Sequence, residues 1–240
     1  MFRAIRIEAS QQMPNYCKSA SFLIKETFPL PPYSSIIGIV HSLCGWKEYH
    51  PMRTSVQGKY SSTVSDYATN YVFGITYDPT RHQKRVHIEG GKDDGINVGP
   101  KSYELLTDVE LILHIVPDDD FLIETIFKAL KNPPVYPSLG RYEDLIRIDK
   151  LDIVDLNISP EAKLTANDIY IPLNSLGENA ENVEGTIYRL NKVFEIRKSG
   201  RKDIRVWKET VLAQHVCKGK QISSRSMYID SLKEDIVFLA

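Results

Sequence analysis

The hydrophobic pattern of this chain starts as an alternation and then changes to a helical period. Ile5 and Ile7 fall on one side of an extended segment, and Arg6 and Glu8 fall on the other. This alternation predicts a first strand over residues 2–9. Beyond the next group of prolines, apolar positions recur every three or four residues, which indicates an amphipathic helix. The fold is therefore predicted to begin with a strand and a helix.

The predicted helix lies in residues 29–45, behind three prolines that hold the approach extended. We expect Ser34 or Ser35 to cap its first turn and Gly45 to end it. A phosphate backbone could approach its polar side closely, because free N–H groups and the dipole at a helix start favour an anion. The alternative is an ordinary surface helix that contains a glycine. The polar side consists of Ser34, Gly38, His41 and Ser42.

The pattern continues with further strands and one more helix. Strands are predicted over residues 52–60, 103–116 and 145–156, and a helix over residues 121–131. Residues 61–102 are predicted to form a protruding hairpin. The resulting order is that of a ferredoxin-like βαββαβ fold of the α+β class, with the hairpin inserted between its second and third strands.

This order accounts for residues 1–156, which we predict to be one ferredoxin-like domain with its hairpin at about residues 61–102. Residues 157–240 contain short strand-like runs and a hairpin turn at residues 198–201. They predict a small β-rich second unit, with a soft boundary near Pro160.

Charge is distributed unevenly along the chain although the net charge is only −1. Residues 189–225 hold eleven basic and three acidic residues, a net charge of +8, whereas residues 104–184 are acidic. Such segregation suggests a surface for a polyanion. A solvated basic hairpin explains the same count equally well.

The loop over residues 11–21 and the predicted hairpin carry candidate nucleic-acid contacts. Gln12, Tyr16 and Lys18 offer an amide, a ring and a cation, which together could recognise an unpaired base. The hairpin interleaves aromatic side chains with cations, and single-stranded nucleic acid needs both, because rings stack on bases and cations neutralise phosphates. A long charged hairpin also protects a protein against edge-to-edge aggregation, which is the alternative.

Several classes of protein are disfavoured by the sequence. No apolar run is long enough to span a bilayer, and the first residues alternate where a signal peptide has an apolar block. Cys17, Cys44 and Cys217 are odd in number and form no C-x-x-C pair, so reduced thiols are expected. No G-x-x-x-x-G-K-[ST] loop is present to cradle phosphates. We therefore expect a cytoplasmic protein with no cofactor, no metal site and no membrane partner.

Four motifs together resemble a known family. They are AIRIEASQQMPNY at residues 4–16, PPYSSIIGIV at residues 31–40, GKY at residues 58–60 and SLGRYED at residues 138–144. In this order they resemble the fifth Cas family, which comprises RAMP-superfamily proteins of type I CRISPR surveillance complexes, and in particular its type I-B branch. The resemblance covers the N-terminal two-thirds of the chain, and the remainder agrees in being β-rich.

The resemblance implies a non-catalytic subunit at the foot of the antiviral complex Cascade. It would grip the 5′ handle of the crRNA and use the hairpin over residues 61–102 as a thumb against the neighbouring backbone subunit. It would also contact the large subunit that reads the protospacer-adjacent motif, which brings target DNA close. The glycine-rich turn of the family corresponds to Leu139, Gly140 and Arg141, and its handle-facing loop to residues 11–18.

The residues expected to face RNA combine these motifs with the chemistry of phosphate and base recognition. Arg141 is the sharpest candidate, because Gly140 would let the backbone approach a phosphate that the guanidinium can bind with two hydrogen bonds. The alternative for Arg141 is an ion pair with Glu143 or Asp144. The full predicted set is Gln12, Tyr16, Lys18, Ser34, Lys59, Arg81, Lys84, Arg85, Gly140 and Arg141.

The sequence is compatible with two other functions. Type I-C members of the resembled family cleave precursor crRNA without a metal, a reaction that needs a general base and a general acid. His41, His82, His87, Lys59 and Tyr60 have suitable side chains, but their spacing does not bring them together. The other possibility is a pure assembly module that makes protein contacts and has no specific affinity for RNA.

Overall fold

The structure is a computed structural model that describes residues 2–21, 24–177, 183–200 and 202–240. In these residues the chain is mostly strand with few helices, which agrees with the predicted α+β class. The helices are α1 (Tyr33–Cys44), α2 (Leu122–Lys131) and the short α3 (Leu173–Leu176). The strands are β1 (Phe2–Gln11), β2 (Ile24–Lys25), β3 (Met52–Lys59), β4 (Ser62–Thr76), β5 (Lys84–Val86), β6 (Asp94–Thr107), β7 (Val109–Pro117), β8 (Arg147–Ile158), β9 (Lys163–Leu164), β10 (Asp168–Pro172), β11 (Thr186–Ser199), β12 (Lys202–Val216), β13 (Gln221–Ile222), β14 (Tyr228–Asp230) and β15 (Ile236–Val237).

One antiparallel sheet organises the described chain. Its strand order is β11-β12-β10-β3-β7-β1-β8-β14-β15. The four central strands, β3, β7, β1 and β8, pair antiparallel with one another. Helix α1 lies between β1 and β3 in the sequence, and α2 lies between β7 and β8. The predicted order of strand, helix, strand, hairpin, strand, helix and strand is therefore observed.

Both helices pack their apolar sides into the same core. Ile36 and Val40 of α1, Ile123 of α2 and Ile5 of β1 are all fully buried. These positions have the helical and alternating periods that the sequence predicts. The arrangement leaves the opposite side of α1 uncovered by the core, with Gly38 exposed.

The start of α1 differs from the prediction, whereas its end agrees. The helix begins at Tyr33, with Pro32 in an extended conformation just before it and no side-chain cap. Ser34 therefore lies inside the first turn, so the predicted serine cap is wrong, and the prolines alone set the entry. At the other end, Gly45 adopts φ 68°, the left-handed conformation that glycine tolerates best.

The predicted strand over residues 103–116 is two strands. Asp108 has a positive φ of 50°, and the chain changes direction there between β6 and β7. Strand β6 pairs with β4 from Ser62 opposite Thr107 to Thr76 opposite Asp94, whereas β7 joins the main sheet. The hairpin therefore extends five residues beyond the predicted end at Ser102 and forms a separate sheet with β2 and β5.

Most strands after residue 158 belong to the main sheet, whereas β9 and β13 pair with each other in a separate two-stranded sheet. Strands β10 to β12 extend it beyond β3, and β14 and β15 extend it beyond β8. Tyr170 and Leu190 pack in the same core as Ile5, which lies on β1. Strand β8 ends at Ile158, just before the predicted boundary near Pro160. In the described residues, the C-terminal part thus shares the main sheet with the first 156 residues and also has a core cluster of its own around Ile169, Val216 and Phe238, so a second unit stays a prediction.

A buried charge network fastens the C-terminal segment to the other face of the sheet. Arg6 on β1 has a side chain that is 2% exposed and binds three carboxylates. Its Nε lies 3.2 Å from Oδ2 of Asp230, and its two terminal nitrogens each lie 2.6 Å from a carboxylate oxygen, of Glu8 and of Asp235. Nε2 of His114 on β7 lies 3.1 Å from the same Oδ2. The sequence showed only an arginine in an alternating strand.

Candidate nucleic-acid interface

A groove of about 1400 Å³ opens between three parts of the chain. Its sides are the polar side of α1, the segment after α2 at residues 135–145, and the paired strands β11 and β12. We call this last pair the ribbon. The α1 side combines small residues such as Ser34, Gly38 and Ser42 with the larger Ile39 and His41, and an extended chain can approach it closely at Gly38.

Gly38 is the most open position on the α1 side of the groove. A Cβ atom added to Gly38 would meet no other atom within 4 Å. Ser34, His41 and Ser42 line the groove beside it. The small, polar side that the sequence predicts for this helix is therefore the side that faces the groove.

His41 has both ring nitrogens engaged within the chain. Nδ1 lies 2.8 Å from the carbonyl oxygen of Ile37, and Nε2 accepts the backbone N–H of His50 at 2.9 Å. The Nδ1 atom therefore carries the proton. Burial lowers the pKa of His41 from its usual value, against the effect of the bond to Ile37. Its ring is stacked parallel to that of Tyr49, with centroids 5.7 Å apart.

Gly140 is required by contacts within the loop. Its φ is 112°, which disfavours any residue with a side chain. An added Cβ would lie 2.7 Å from Oδ2 of Asp144 and 2.9 Å from the carbonyl oxygen of Asn15. The glycine thus lets this loop pack against the loop after β1, and this packing shapes the adjacent groove.

Arg141 makes the intramolecular ion pairs that formed the alternative interpretation. Its Nη2 lies 2.7 Å from Oδ1 of Asp144, and its Nη1 lies 3.1 Å from Oε1 of Glu143. The guanidinium also lies 5.4 Å from the ring centre of Tyr103. Burial opposes the charge of Arg141, but the hydrogen bonds and charge of Asp144 outweigh it and raise the pKa of Arg141. The guanidinium of Arg141 holds the loop together through these ion pairs, so it is not presented to a phosphate in this structure.

Tyr16 is in the core, so the prediction that its ring stacks on a base is wrong for this structure. The side chain is 1% exposed, and its hydroxyl donates to Oε1 of Gln11 at 2.6 Å. Gln11 in turn donates to the carbonyl oxygens of Leu139 and Asp144, so the pair supports the glycine turn. Gln12 is exposed and lies beside Arg141 in a second, shallower depression.

Lys18 and Lys59 pair with neighbouring carboxylates. Lys18 lies 3.2 Å from Glu26, and Lys59 lies 2.9 Å from Glu110. Both lysines keep partial exposure, and neither lines the groove.

The three predicted hairpin cations are exposed and lie apart from the groove. Arg81 lies 3.8 Å from a carboxylate oxygen of Asp78. Lys84 lies 5.5 Å from the ring centre of Tyr71, and Arg85 pairs with an aspartate of the same hairpin. The structure thus brings Ser34 and Gly140 to the groove, whereas the cations of the hairpin form a different surface.

Sequence reasoning missed the aromatic side chains of the ribbon. Phe194 and Trp207 face each other across β11 and β12, and both line the groove. The guanidinium of Arg205 lies 4.1 Å from the ring centre of Phe194. The basic count of this region was visible in the sequence, but the pairing register that joins these side chains was not. The predicted turn between the strands includes Arg201, which lies outside the described residues.

Within the described ranges, no group of three or more His, Cys, Asp or Glu side chains is arranged to hold a metal ion. None of the helices in the described part of the chain combines the length and apolar character of a membrane span. The three cysteines are free thiols, and burial raises the pKa of Cys44 to about 11.

Comparisons with known proteins agree with the resemblance seen in the motifs. Residues 10–214 match the family model described as "CRISPR-associated protein (Cas_Cas5)". A solved chain described as "CRISPR RNA-guided surveillance complex" is 16% identical, with 91% of each chain covered and a TM-score of 0.57. The "Crystal structure of a CRISPR protein from Archaeoglobus fulgidus" is 9% identical and covers 100% of this chain and 99% of that chain, with a TM-score of 0.47. No curated protein matches the chain.

These findings define a CRISPR-associated protein. Within that class, the chain belongs to the Cas5 family, because the family model covers most of its length. It shares its fold with the chain of the CRISPR RNA-guided surveillance complex.

Proposed function

We propose that this chain is a non-catalytic subunit of a type I-B CRISPR surveillance complex that binds and caps the 5′ handle of the crRNA in the groove. The observation that carries the proposal is the groove itself, which is open at Gly38 on the α1 side and is lined by the basic ribbon on another side. A phosphate backbone can approach the small side of α1, while the basic ribbon supplies cations. Membership of the Cas5 family supports a role in a CRISPR complex.

The assembly contacts are part of the same proposal. The hairpin serves as a thumb against a neighbouring backbone subunit, and the large subunit and target DNA near the protospacer-adjacent motif lie close to the chain. Tyr67 and Phe73 on β4 support this role, because they are 75% and 63% exposed and fall on the same side of the strand. The order β8-β1-β7-β3 with α1 and α2 supports assignment of the central strands to the ferredoxin-like type.

We propose that the chain is not catalytic because its candidate histidines lack either a free lone pair or a place in the groove. A general base needs a free lone pair, and the Nε2 lone pair of His41 already accepts the N–H of His50. His82 and His87 lie in the hairpin, apart from the groove. Incubation of repeat RNA with the protein in EDTA tests this directly: intact RNA is expected, and specific cleavage would favour the endoribonuclease.

The groove is tested by placing a carboxylate in it. Gly38→Glu adds a negative charge where a side chain meets no neighbour, and glutamate favours helix more than glycine does, so the variant should fold. A carboxylate near a phosphate costs ~1–4 kcal/mol, which corresponds to about tenfold or more in affinity. We expect Gly38→Glu to lose that affinity for a short single-stranded RNA carrying the 5′ handle, as measured by fluorescence anisotropy.

Gly38→Ala is the matched control, because it fills the same position without a charge. It should bind the RNA more tightly than Gly38→Glu does, because a methyl group brings no charge near the phosphate. Equal affinity of Gly38→Glu and Gly38→Ala would show that RNA does not occupy the groove. Absence of any RNA binding by wild type would favour the assembly module.

A further inference from the structure

The groove side of the ribbon carries an exposed apolar patch. Phe194 pairs with Trp207 and Ile196 pairs with Arg205, so these four alternate positions share one side of the ribbon. All four line the groove. Phe194 is 40% exposed, Ile196 58% and Trp207 39%. A ribbon that merely kept a basic surface in solution would not need aromatic rings on this side.

Two of the ribbon cations that line the groove, Arg205 and Lys208, have no carboxylate partner among the described residues, whereas a third, Lys192, pairs with Glu209. Glu195 also lines the groove, but it pairs with Arg197. Arg205, in contrast, lies over the ring of Phe194 and has no carboxylate within 4 Å among the residues that the structure describes. Lys208 lines the groove and likewise has no ion pair there. Exposed cations beside exposed aromatic rings offer a site for an anionic partner with a flat apolar part.

We propose that Phe194 and Trp207 form a stacking site for an unpaired nucleobase of single-stranded RNA, and that Arg205 and Lys208 bind the phosphates next to it. This inference deepens the proposed function and rests on it, because it assumes that RNA occupies the groove. A nucleotide satisfies both parts of the site: its base offers a π face to the rings, and its phosphate meets the cations.

A protein segment with an apolar surface fits the same patch less well. It would cover the rings but would also remove Arg205 from water without neutralising it, which is unfavourable. The patch is also not selective for one base, since every base has a π face. The site therefore contributes affinity and register to RNA in the groove, and sequence recognition lies elsewhere.

The two tryptophans of the chain make the site measurable. They are Trp46 and Trp207, so in a Trp46→Phe background all tryptophan emission comes from Trp207. The probe is a short single-stranded RNA carrying the 5′ handle. We expect saturable quenching of Trp207 emission whose midpoint matches the affinity measured by anisotropy in the same background, because a stacked base quenches the indole.

Substitutions in that background separate stacking from charge. Trp207→Ala should weaken RNA binding about tenfold (~1.4 kcal/mol), and Trp207→Phe should recover most of the loss because it keeps a ring. Arg205→Ala should lower the slope of log affinity against log salt by about 0.7, the value for one phosphate of a single strand. Ile204→Ala is the matched control, because Ile204 is exposed on the opposite side of the ribbon.

The outcomes distinguish this inference from the proposed function. RNA binding with unchanged Trp207 emission, together with equal affinity of Trp207→Ala and Ile204→Ala, would refute the stacking site and leave the groove as an RNA site. If the same RNA does not bind to the protein at all, the proposed function fails and the stacking site fails with it.

Discussion

Asp230 offers the sharpest test of how the C-terminal segment is held to the sheet. Its side chain is fully buried, and Oδ2 accepts from Nε of Arg6 at 3.2 Å and lies 3.1 Å from Nε2 of His114. Oδ1 accepts the backbone N–H groups of Leu232 at 2.9 Å and Lys233 at 2.7 Å. Both oxygens therefore face donors only, which a carboxylate satisfies and an amide does not.

Asp230→Asn keeps the shape of the side chain and makes one oxygen a donor. In either orientation its NH₂ group faces two other donors, so one side of the site loses its hydrogen bonds. Unpaired buried groups cost about 1–3 kcal/mol each, and removal of one partner from a buried ion pair costs about 3–5 kcal/mol. We expect the free energy of unfolding to fall by about 3 kcal/mol for Asp230→Asn and by up to about 5 kcal/mol for Asp230→Ala.

Urea unfolding followed by circular dichroism at pH 7 measures this loss. Asp66→Asn is the control, because Asp66 lies exposed on β4 and such a surface change should stay within about 0.5 kcal/mol. Equal stability of Asp230→Asn and Asp66→Asn would refute the assignment of the buried network as the fastening of the C-terminal segment.

The same network predicts a pH dependence. Burial alone would raise the pKa of Asp230, but hydrogen bonds from His114 and from the backbone of Lys233 hold it well below its usual value of 3.8. A depressed pKa stabilises the fold above the unfolded-state value, and that contribution is lost as the pH falls below it. The stability difference between wild type and Asp230→Asn should therefore be constant from pH 7 to about pH 5 and shrink below about pH 4.

Three further predictions concern the groove and its loop, each measured by urea unfolding. Gly140→Ala should destabilise the protein by about 3 kcal/mol, because it forces φ 112° on alanine and places its Cβ 2.7 Å from Asp144, and an unchanged midpoint would contradict that geometry. Arg141→Ala should lower the free energy of unfolding by about 2 kcal/mol, because it leaves the buried carboxylate of Asp144 without its charged partner. A loss below about 0.5 kcal/mol would mean that Arg141 is available for RNA contacts. Gly38→Ala should raise stability by up to about 1 kcal/mol, since it relieves a glycine in an open helix position, and destabilisation would mean that the position is not open.

Local patterns predicted the elements that depend on local chemistry. The alternation of β1, the apolar side of α1, its end at Gly45 and the long hairpin were all visible, because periodicity and a left-handed glycine act over a few residues. The break at Asp108 was not visible, since a run of β-branched and apolar residues continues on both sides of it.

Features that depend on distant pairing could not be predicted in the same way. Tyr16 lies in a polar loop of the sequence, but it is buried because the glycine turn more than a hundred residues later closes over it. Both stated carboxylate partners of Arg141 are engaged in the folded loop, and only the fold shows that Asp144 is the buried one. The pairing of Phe194 with Trp207 needs the register of the ribbon, which includes an irregularity at Val193 that no local rule reveals.

The handle-binding role is tested by the affinity of the purified chain for a short RNA carrying the crRNA 5′ handle, compared with a scrambled RNA of the same composition at the same salt concentration. The chain should prefer the handle at least about tenfold, corresponding to ~1.4 kcal/mol, because a capping subunit must recognise its own end of the crRNA above the general attraction of a basic ribbon to phosphates. Equal affinity for the two RNAs would contradict the handle-binding role and leave a subunit that contributes protein contacts.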